Sequence, residues 1–278
     1  MGEYDLSSKG TFSRQNEPCN KSSLSPETLR KTVQLFTGIL RLMAMKESNI
    51  MSEWVNLKAA DGHELSAYVA KPEGEPIGAL VVIQEIFGVN PSIQRVADSY
   101  AKEGFLAIAP AIFDRFERGL ELTYGEADMK RAFELYGKLN PEVQLLDIAA
   151  AFKHVKAAGK KVGVLGFCYG GLLTWLSTTR AKALQIQPDA GVGYYAGGIG
   201  KVAAEEPVCP VALHFGADDD HIGSDQVNAV RNAHPEVEIF LYEGVGHAFA
   251  NPDRPSYNAE AAKLADERSL AFLKKHLG

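Results

Sequence analysis

The chain has 278 residues, enough to bury one large core or two small ones. Hydrophobic residues make up 46% and charged residues 23%, the balance of a soluble globular protein. The formal net charge is −6 with no concentrated basic stretch, which argues against nucleic-acid and anionic-membrane partners.

Three cysteines, Cys19, Cys168 and Cys209, make no C-x-x-C pair. Neither a disulfide framework nor a structural metal site is expected, and the implied setting is reducing and cytoplasmic. No apolar run reaches the length of a membrane span, and the polar N-terminus has no hydrophobic signal core.

Residues 1–25 are rich in Ser, Asn, Lys and Gly and read as lacking fixed structure. Residues 25–48 read as an amphipathic helix. Ser25 suits its cap, Pro26 its first turn, and Leu29, Val33, Phe36, Leu40 and Met43 share one face. Few basic residues line the opposite face, so the helix is read as an accessory segment and not as a membrane anchor. Residues 1–51 are thus an N-terminal extension, and 52–278 are expected to form one domain.

From Trp54 onward the pattern changes. "WVNLKA" and "LSAYVAK" alternate like strands around "ADGHE", whose Asp-Gly pair signals a hairpin. "GALVVIQE" is a continuous apolar run, as expected of a strand buried on both faces. "FLAIAPAIF", "KVGVLGF", "GVGYYAG", "VALHFGA" and "VEIFLYE" follow as further strands. Helical patterns lie between them: "SIQRVADSYAKEG", "GEADMKRAFELYGKL", "NPEVQLLDIAAAFKHVKAAG", "GGLLTWLSTTRAKAL", "SDQVNAVRNAH" and "PSYNAEAAKLADERSLAFLKKHL". Alternating strands and helices predict an α/β fold with a mostly parallel sheet of seven to eight strands and helices on both faces.

"GFCYGG", residues 166–171, lies between a predicted strand and a predicted helix. A sharp strand-to-helix turn forces its central residue toward strained backbone angles and leaves no room for bulk on either side. Glycines at 166 and 170 meet that demand, and Cys168 stands at the tip. The following helix then points its free N–H groups at the thiol, which favours negative charge there. The Tyr169 N–H can help to hold an oxyanion. Most free cysteines are small core residues, but the glycine frame argues for a nucleophile here.

A cysteine nucleophile needs a base, and the base an orienting acid. In this fold both should follow later strands, in the order nucleophile, acid, histidine. Asp218, Asp219, Asp220 and His221 follow "VALHFGA", and His247 follows "VEIFLYEG". His247 is the predicted base; His214, inside a strand, and His221, in the acid's own loop, are read as structural. Asp219 is the preferred acid, with Asp220 as the alternative. Glu85 ends the first buried strand, where an unpaired carboxylate costs several kcal/mol. It is read either as paired with an arginine such as Arg115 or as touching Cys168 and handling its proton. The N–H groups of Ile86 and Phe87 are candidates for a second oxyanion donor.

"QEIFGVN" (84–90), "GFCYGG" (166–171), "HFGADDDHI" (214–222) and "GVGHAFAN" (244–251) together resemble the dienelactone hydrolase family of α/β-hydrolases, over residues 54–278. The resemblance implies an α/β-hydrolase fold and a triad of Cys168, Asp219 and His247. It implies that Glu85 takes the thiol proton when substrate binds, and that the Ile86 and Tyr169 N–H groups form the oxyanion hole. It implies attack on a lactone or ester carbonyl, a thioester, and hydrolysis by water activated at His247, with no metal or organic cofactor. Family members hold a substrate carboxylate with arginines at two positions that are Met129 and Asn251 here. A proline common in the acid loop is Gly223.

Phe87, Phe133, Tyr136, Tyr195 and Asn251 are candidate pocket residues by position alone. The expected partner is a small lactone or ester, and the expected state a monomer or weak homodimer. Acyl transfer or other carboxylesterase chemistry on the same fold is one rival reading. A ligand sensor without turnover is another, disfavoured by the complete set of Cys168, Asp219, His247 and Glu85.

Overall fold

The computed structural model describes residues 50–278; the helix expected over 25–48 lies outside the described residues. Eight strands form one sheet: β1 (Met51–Lys58), β2 (Glu64–Lys71), β3 (Gly78–Ile83), β4 (Phe105–Pro110), β5 (Val162–Phe167), β6 (Ala190–Tyr194), β7 (Val211–Gly216) and β8 (Glu238–Tyr242). Their order is β1-β2-β4-β3-β5-β6-β7-β8. β1 and β2 form the antiparallel hairpin that Asp61-Gly62 predicts, and β2 also runs antiparallel to β4. Every pairing from β4 to β8 is parallel.

Burial follows this order. Every residue of β3, β5, β6 and β7 is buried, which is why these strands read as unbroken apolar runs. β1 and β8 lie at the edges: β1 exposes most of its residues, and β8 fully buries only Tyr242.

The helices between strands are α1 (Pro91–Lys102), α2 (Glu126–Tyr136), α3 (Pro141–Lys156), α4 (Tyr169–Thr179), the single turn α5 (Ala181–Leu184), α6 (Ser224–Ala233) and α7 (Ala259–Leu277). Asn90 and Asn140 cap α1 and α3, each followed by proline in the first turn, so both starts are written locally in the sequence. Two boundaries differ from expectation. The run after Cys168 breaks at Arg180, where the guanidinium pairs with Glu205 and Glu142. Ahead of the break the Ser177 and Thr178 hydroxyls bond back to helix carbonyls at 2.7 Å, competing with the helix ladder. The last helix starts at Ala259 and not at Pro255, because the Asn258 side chain caps it by accepting the Ala261 N–H at 3.0 Å.

Two strand glycines show which helix covers which face. Gly163 leaves room for Leu273 and Leu277 of α7, and Gly191 for Thr174 and Thr178 of α4. Gly191 is registered with Val164, one residue on from Gly163, so the two glycines face opposite sides of the sheet. α4 shares its side with α3 through the Tyr169 hydroxyl, which donates to Gln144 at 3.3 Å. α1 shares the other with α7 through the Glu103–Lys274 pair at 2.7 Å. All parallel strands therefore direct their carboxyl ends to one edge, and the loops leaving that edge carry the candidate site.

Candidate active site

Cys168 sits between β5 and α4 at φ 54°, ψ −116°, a backbone conformation that L-residues rarely adopt. The neighbouring chain explains how it is held there. A Cβ on Gly166 would lie 2.1 Å from the Gly170 carbonyl oxygen, and one on Gly170 would lie 2.5 Å from the carbonyl oxygens of Ile83 and Gln84. The turn is thus pressed against the end of β3, and only glycine fits. The Cys168 N–H donates to the Tyr194 carbonyl at 3.0 Å, tying the turn to β6 as well.

His247 lies in the loop after β8. Its Nδ1 is 2.9 Å from Asp219 Oδ2. Asp219 is buried, whereas Asp218 and Asp220 are exposed. Its second oxygen accepts the backbone N–H groups of His221 at 2.8 Å and Ile222 at 3.2 Å, so the carboxylate is oriented by its own loop. Burial works against charge on Asp219, but His247 and these N–H groups prevail and hold its pKa below the usual range. Burial also opposes charge on His247. Its bond to Asp219 and the Cys168 thiol overcome that penalty and raise its pKa to about 10. The arrangement therefore favours an imidazolium between a carboxylate and a sulfur.

Cys168, His247 and Glu85 line one cavity of about 630 Å³. Ile86 lines it too, and Tyr169 is the first residue of α4. The N–H of a first helical residue has no partner within its own helix, so it is free to meet an oxyanion beside Cys168. Phe87, Phe133 and Tyr136 line the cavity, and Met129 adds to the same wall.

Tyr195 and Asn251 are not among the lining residues, contrary to expectation. Both line a smaller cavity that shares Glu85, and the backbone has positive φ at Tyr195 itself and at Ala248. The Tyr195 ring packs edge-on against His247 at 5.1 Å. Asn251 is buried and donates to Glu85 Oε2 at 2.8 Å.

Arg115 does not pair with Glu85. It forms ion pairs with Asp147 at 2.7 Å and Asp61 at 2.8 Å. Glu85 is held instead by Asn251 and by the Tyr124 hydroxyl, which donates at 3.2 Å. Burial raises the Glu85 pKa, opposed by Arg254, Asn251, His247 and Tyr124.

Sequence reasoning missed Tyr124 and Arg254. Neither lies in a recognisable motif; Tyr124 precedes α2 and Arg254 stands in the loop beyond Asn251. Arg254 lines the cavity with its guanidinium carbon 5.5 Å from the centres of the Phe87 and Tyr124 rings. Its Nε is buried without a hydrogen-bond partner, and its Nη1 reaches the Met129 sulfur at 3.9 Å. Among the described residues, no group of His, Cys, Asp and Glu side chains is arranged to hold a metal ion, and no helix is long and apolar enough to cross a membrane.

A tight strand-to-helix turn with a cysteine at its tip on a mostly parallel sheet, followed by an aspartate loop and a histidine loop at the same edge, defines an α/β-hydrolase. The dienelactone hydrolase family model matches residues 65–277, and the chain belongs to that family and with it to the hydrolases of ester bonds. It is 30% identical over 233 residues to the carboxymethylenebutenolidase of Pseudomonas putida, covering 81% of this chain and 97% of that one. A proposed carboxymethylenebutenolidase of Azospirillum brasilense is 33% identical over 235 residues, covering 81% and 99%. A solved structure from Klebsiella pneumoniae, proposed to be a dienelactone hydrolase, superposes with a TM-score of 0.70 at 29% identity, covering 81% of this chain and 98% of that one. A dienelactone hydrolase-like promiscuous phosphotriesterase from metagenomic libraries shares the fold, with a TM-score of 0.67 at 19% identity, covering 82% and 99%.

Proposed function

We propose that this protein hydrolyses a small carboxylic ester or lactone through a thioester on Cys168. The observation that carries this reading is the chain of contacts from Asp219 to His247, which opens with Cys168 and Glu85 on one cavity. In the resting enzyme His247 is a cation and Glu85 a carboxylate. On substrate binding Glu85 takes the thiol proton and the sulfur attacks the carbonyl carbon. The developing oxyanion is held by the N–H groups of Ile86 and Tyr169. The C–O bond breaks, His247 gives its proton to the departing oxygen, and a thioester remains. Water then attacks the thioester as neutral His247 takes its proton. The sulfur leaves and recovers its own proton from Glu85, restoring the starting state. Every proton is accounted for, and the net change is addition of water across one ester bond.

The cavity wall favours a substrate with an apolar or aromatic body. Arg254, with an unpartnered Nε, favours an acidic group on it. This cation does not occupy either family arginine position, Met129 or Asn251, so its reach from the nucleophile selects the substrate's dimensions anew.

A panel of esters and lactones, with and without a carboxylate, tests the reading. Wild type is expected to form a covalent acyl adduct on Cys168, detectable by mass spectrometry of rapidly quenched reactions. Hydrolysis that survives unchanged in Cys168→Ala overturns the nucleophile assignment. For Arg254→Gln, KM for carboxylated substrates is expected to rise about tenfold or more, with little change for neutral ones. An equal effect on both removes the acidic-substrate part of the proposal.

A further inference from the structure

We infer that Tyr124 and Asn251, backed by Asn90, are positioning residues that grip Glu85 by its Oε2 alone and reserve Oε1 for the proton of the Cys168 thiol. The inference rests on the proton role proposed for Glu85 above and assigns the parts that make it work.

The directions of the hydrogen bonds follow from the groups at the ends of the network. Asn90 Oδ1 accepts the Ile93 N–H at 3.3 Å as the cap of α1. Its amide nitrogen must therefore be the atom that reaches the Leu122 carbonyl at 2.9 Å and the Tyr124 hydroxyl at 3.1 Å. Asn251 Oδ1 accepts the Asp253 N–H at 3.0 Å and the Ser92 hydroxyl at 3.2 Å. Its amide nitrogen therefore donates to Glu85 Oε2 and to the Tyr124 hydroxyl, both at 2.8 Å. Backbone partners at both amides exclude the flipped orientations. The Tyr124 oxygen thus accepts two hydrogen bonds, which occupies both lone pairs. Its own proton has one remaining destination, Glu85 Oε2 at 3.2 Å.

Oε2 accordingly receives two donors, Asn251 and Tyr124. Protonating it would break one of those bonds inside a buried site. Among the described residues no group hydrogen-bonds to Oε1, which leaves it the oxygen open to a proton.

The donors are uncharged, and that matters for a base. An ion pair at the same oxygen would hold the carboxylate in its charged form more strongly than neutral donors do. Amide and phenol donors fix the geometry while burial keeps the carboxyl basic. The charged and titratable groups around Glu85 are Arg254 and His247 from the loop after β8, Cys168 and Tyr195 from the turns after β5 and β6, and Tyr124 itself. Across a smaller cavity of about 140 Å³ stand Arg95 of α1 and Asp266 of α7.

The test is the acylation rate of Tyr124→Phe as a function of pH, followed by the burst of p-nitrophenol from p-nitrophenyl acetate in stopped flow. The phenylalanine keeps the ring that packs edge-on against Phe87. Loss of a donor to the charged form raises the Glu85 pKa. The acid limb of the profile is therefore expected to move up by about one pH unit, with acylation about tenfold slower at pH values on that limb. Deacylation should stay within about twofold of wild type. Asn251→Ser, which loses both amide bonds, should behave alike and serves if Tyr124→Phe does not fold. In a Glu85→Gln background neither change should slow acylation further.

A profile that superimposes on wild type overturns the inference. So does equal slowing of acylation and deacylation, or an additive effect in the Glu85→Gln background. If Glu85→Gln itself acylates at the wild-type rate, the proton role falls instead. If Glu85→Gln is slow and Tyr124→Phe is normal in rate and profile, only the positioning inference falls.

Discussion

His247 and His214 belong to neighbouring stretches at one end of the sheet, and their surroundings drive them in opposite directions. His247 meets a carboxylate on one side and a cavity on the other, and its pKa rises to about 10. His214, in β7, is fully buried between the rings of Tyr194 at 4.6 Å and Phe240 at 5.1 Å. Its Nδ1 lies 2.9 Å from the Tyr242 hydroxyl and its Nε2 3.0 Å from the Ser269 hydroxyl. Burial without a carboxylate partner, with the Arg268 cation nearby, lowers its pKa to about 3. The consecutive residues Tyr194 and Tyr195 support one histidine each, Tyr194 by stacking and Tyr195 edge-on. A histidine's chemistry here is decided by whether its direct hydrogen-bond partner is a charge or a hydroxyl.

The largest expected effect comes from removing that charge. Asp219→Asn should lower kcat on a good ester by about three to four orders of magnitude, because the imidazole loses both its orientation and its counter-charge. His214→Gln should leave kcat within about threefold. Steady-state kinetics on both variants checks the contrast, and comparable losses would erase it.

Stability should rank the two histidines the other way. His214→Leu takes one partner from each of the Tyr242 and Ser269 hydroxyls, of which Ser269 keeps Tyr194, and is expected to cost about 1–3 kcal/mol in urea unfolding. A cost below about 0.5 kcal/mol would show that the stacked network is dispensable.

Their pH dependences should have opposite signs. The folded pKa of His214 lies below its usual 6.5, so the unfolded chain binds more protons between about 3 and 6.5. Stability from neutral His214 is present above pH 6.5 and is lost as the pH falls toward 3. The folded pKa of His247 lies above 6.5, so its contribution is full below pH 6.5 and is lost as the pH rises through about 10. Melting temperatures across this range should show a shallower acid limb in His214→Gln and a shallower alkaline limb in His247→Gln.

Sequence reasoning reached the features encoded locally. The glycines around Cys168, the Asn-Pro helix starts and the apolar runs of β3, β5, β6 and β7 each carry their cause within a few residues. The order of Cys168, Asp219 and His247 was legible because a parallel sheet sends successive loops to one edge. Tyr124, Arg254 and the partners of Glu85 were not, because they meet through tertiary packing of loops with no repeating pattern. Position alone puts Asn251, at a family arginine position, and Tyr195, just beyond β6, in the pocket. They line a smaller cavity that shares Glu85 instead, with Asn251 hydrogen-bonded to that carboxylate.

The smallest expected effect concerns the turn that holds the thiol, which the His214 region lacks. Cys168→Ala keeps the positive φ, whereas Cys168→Gly relieves it. The glycine variant should be about 1 kcal/mol more stable than the alanine variant by urea unfolding. Equal stability would mean that the turn stores no strain.

The glycine contacts also bear on how such a site can change over time. Gly166 and Gly170 are constrained by carbonyl oxygens of the scaffold, whereas the residue between them projects its side chain toward the cavity. Geometry and reactivity are thus written in different letters. A single codon change at position 168 can exchange sulfur for oxygen without disturbing the turn, while a side chain at Gly166 or Gly170 deforms the turn whatever atom it carries. The side chain at position 168 can therefore vary at low structural risk, and the frame around it stays fixed.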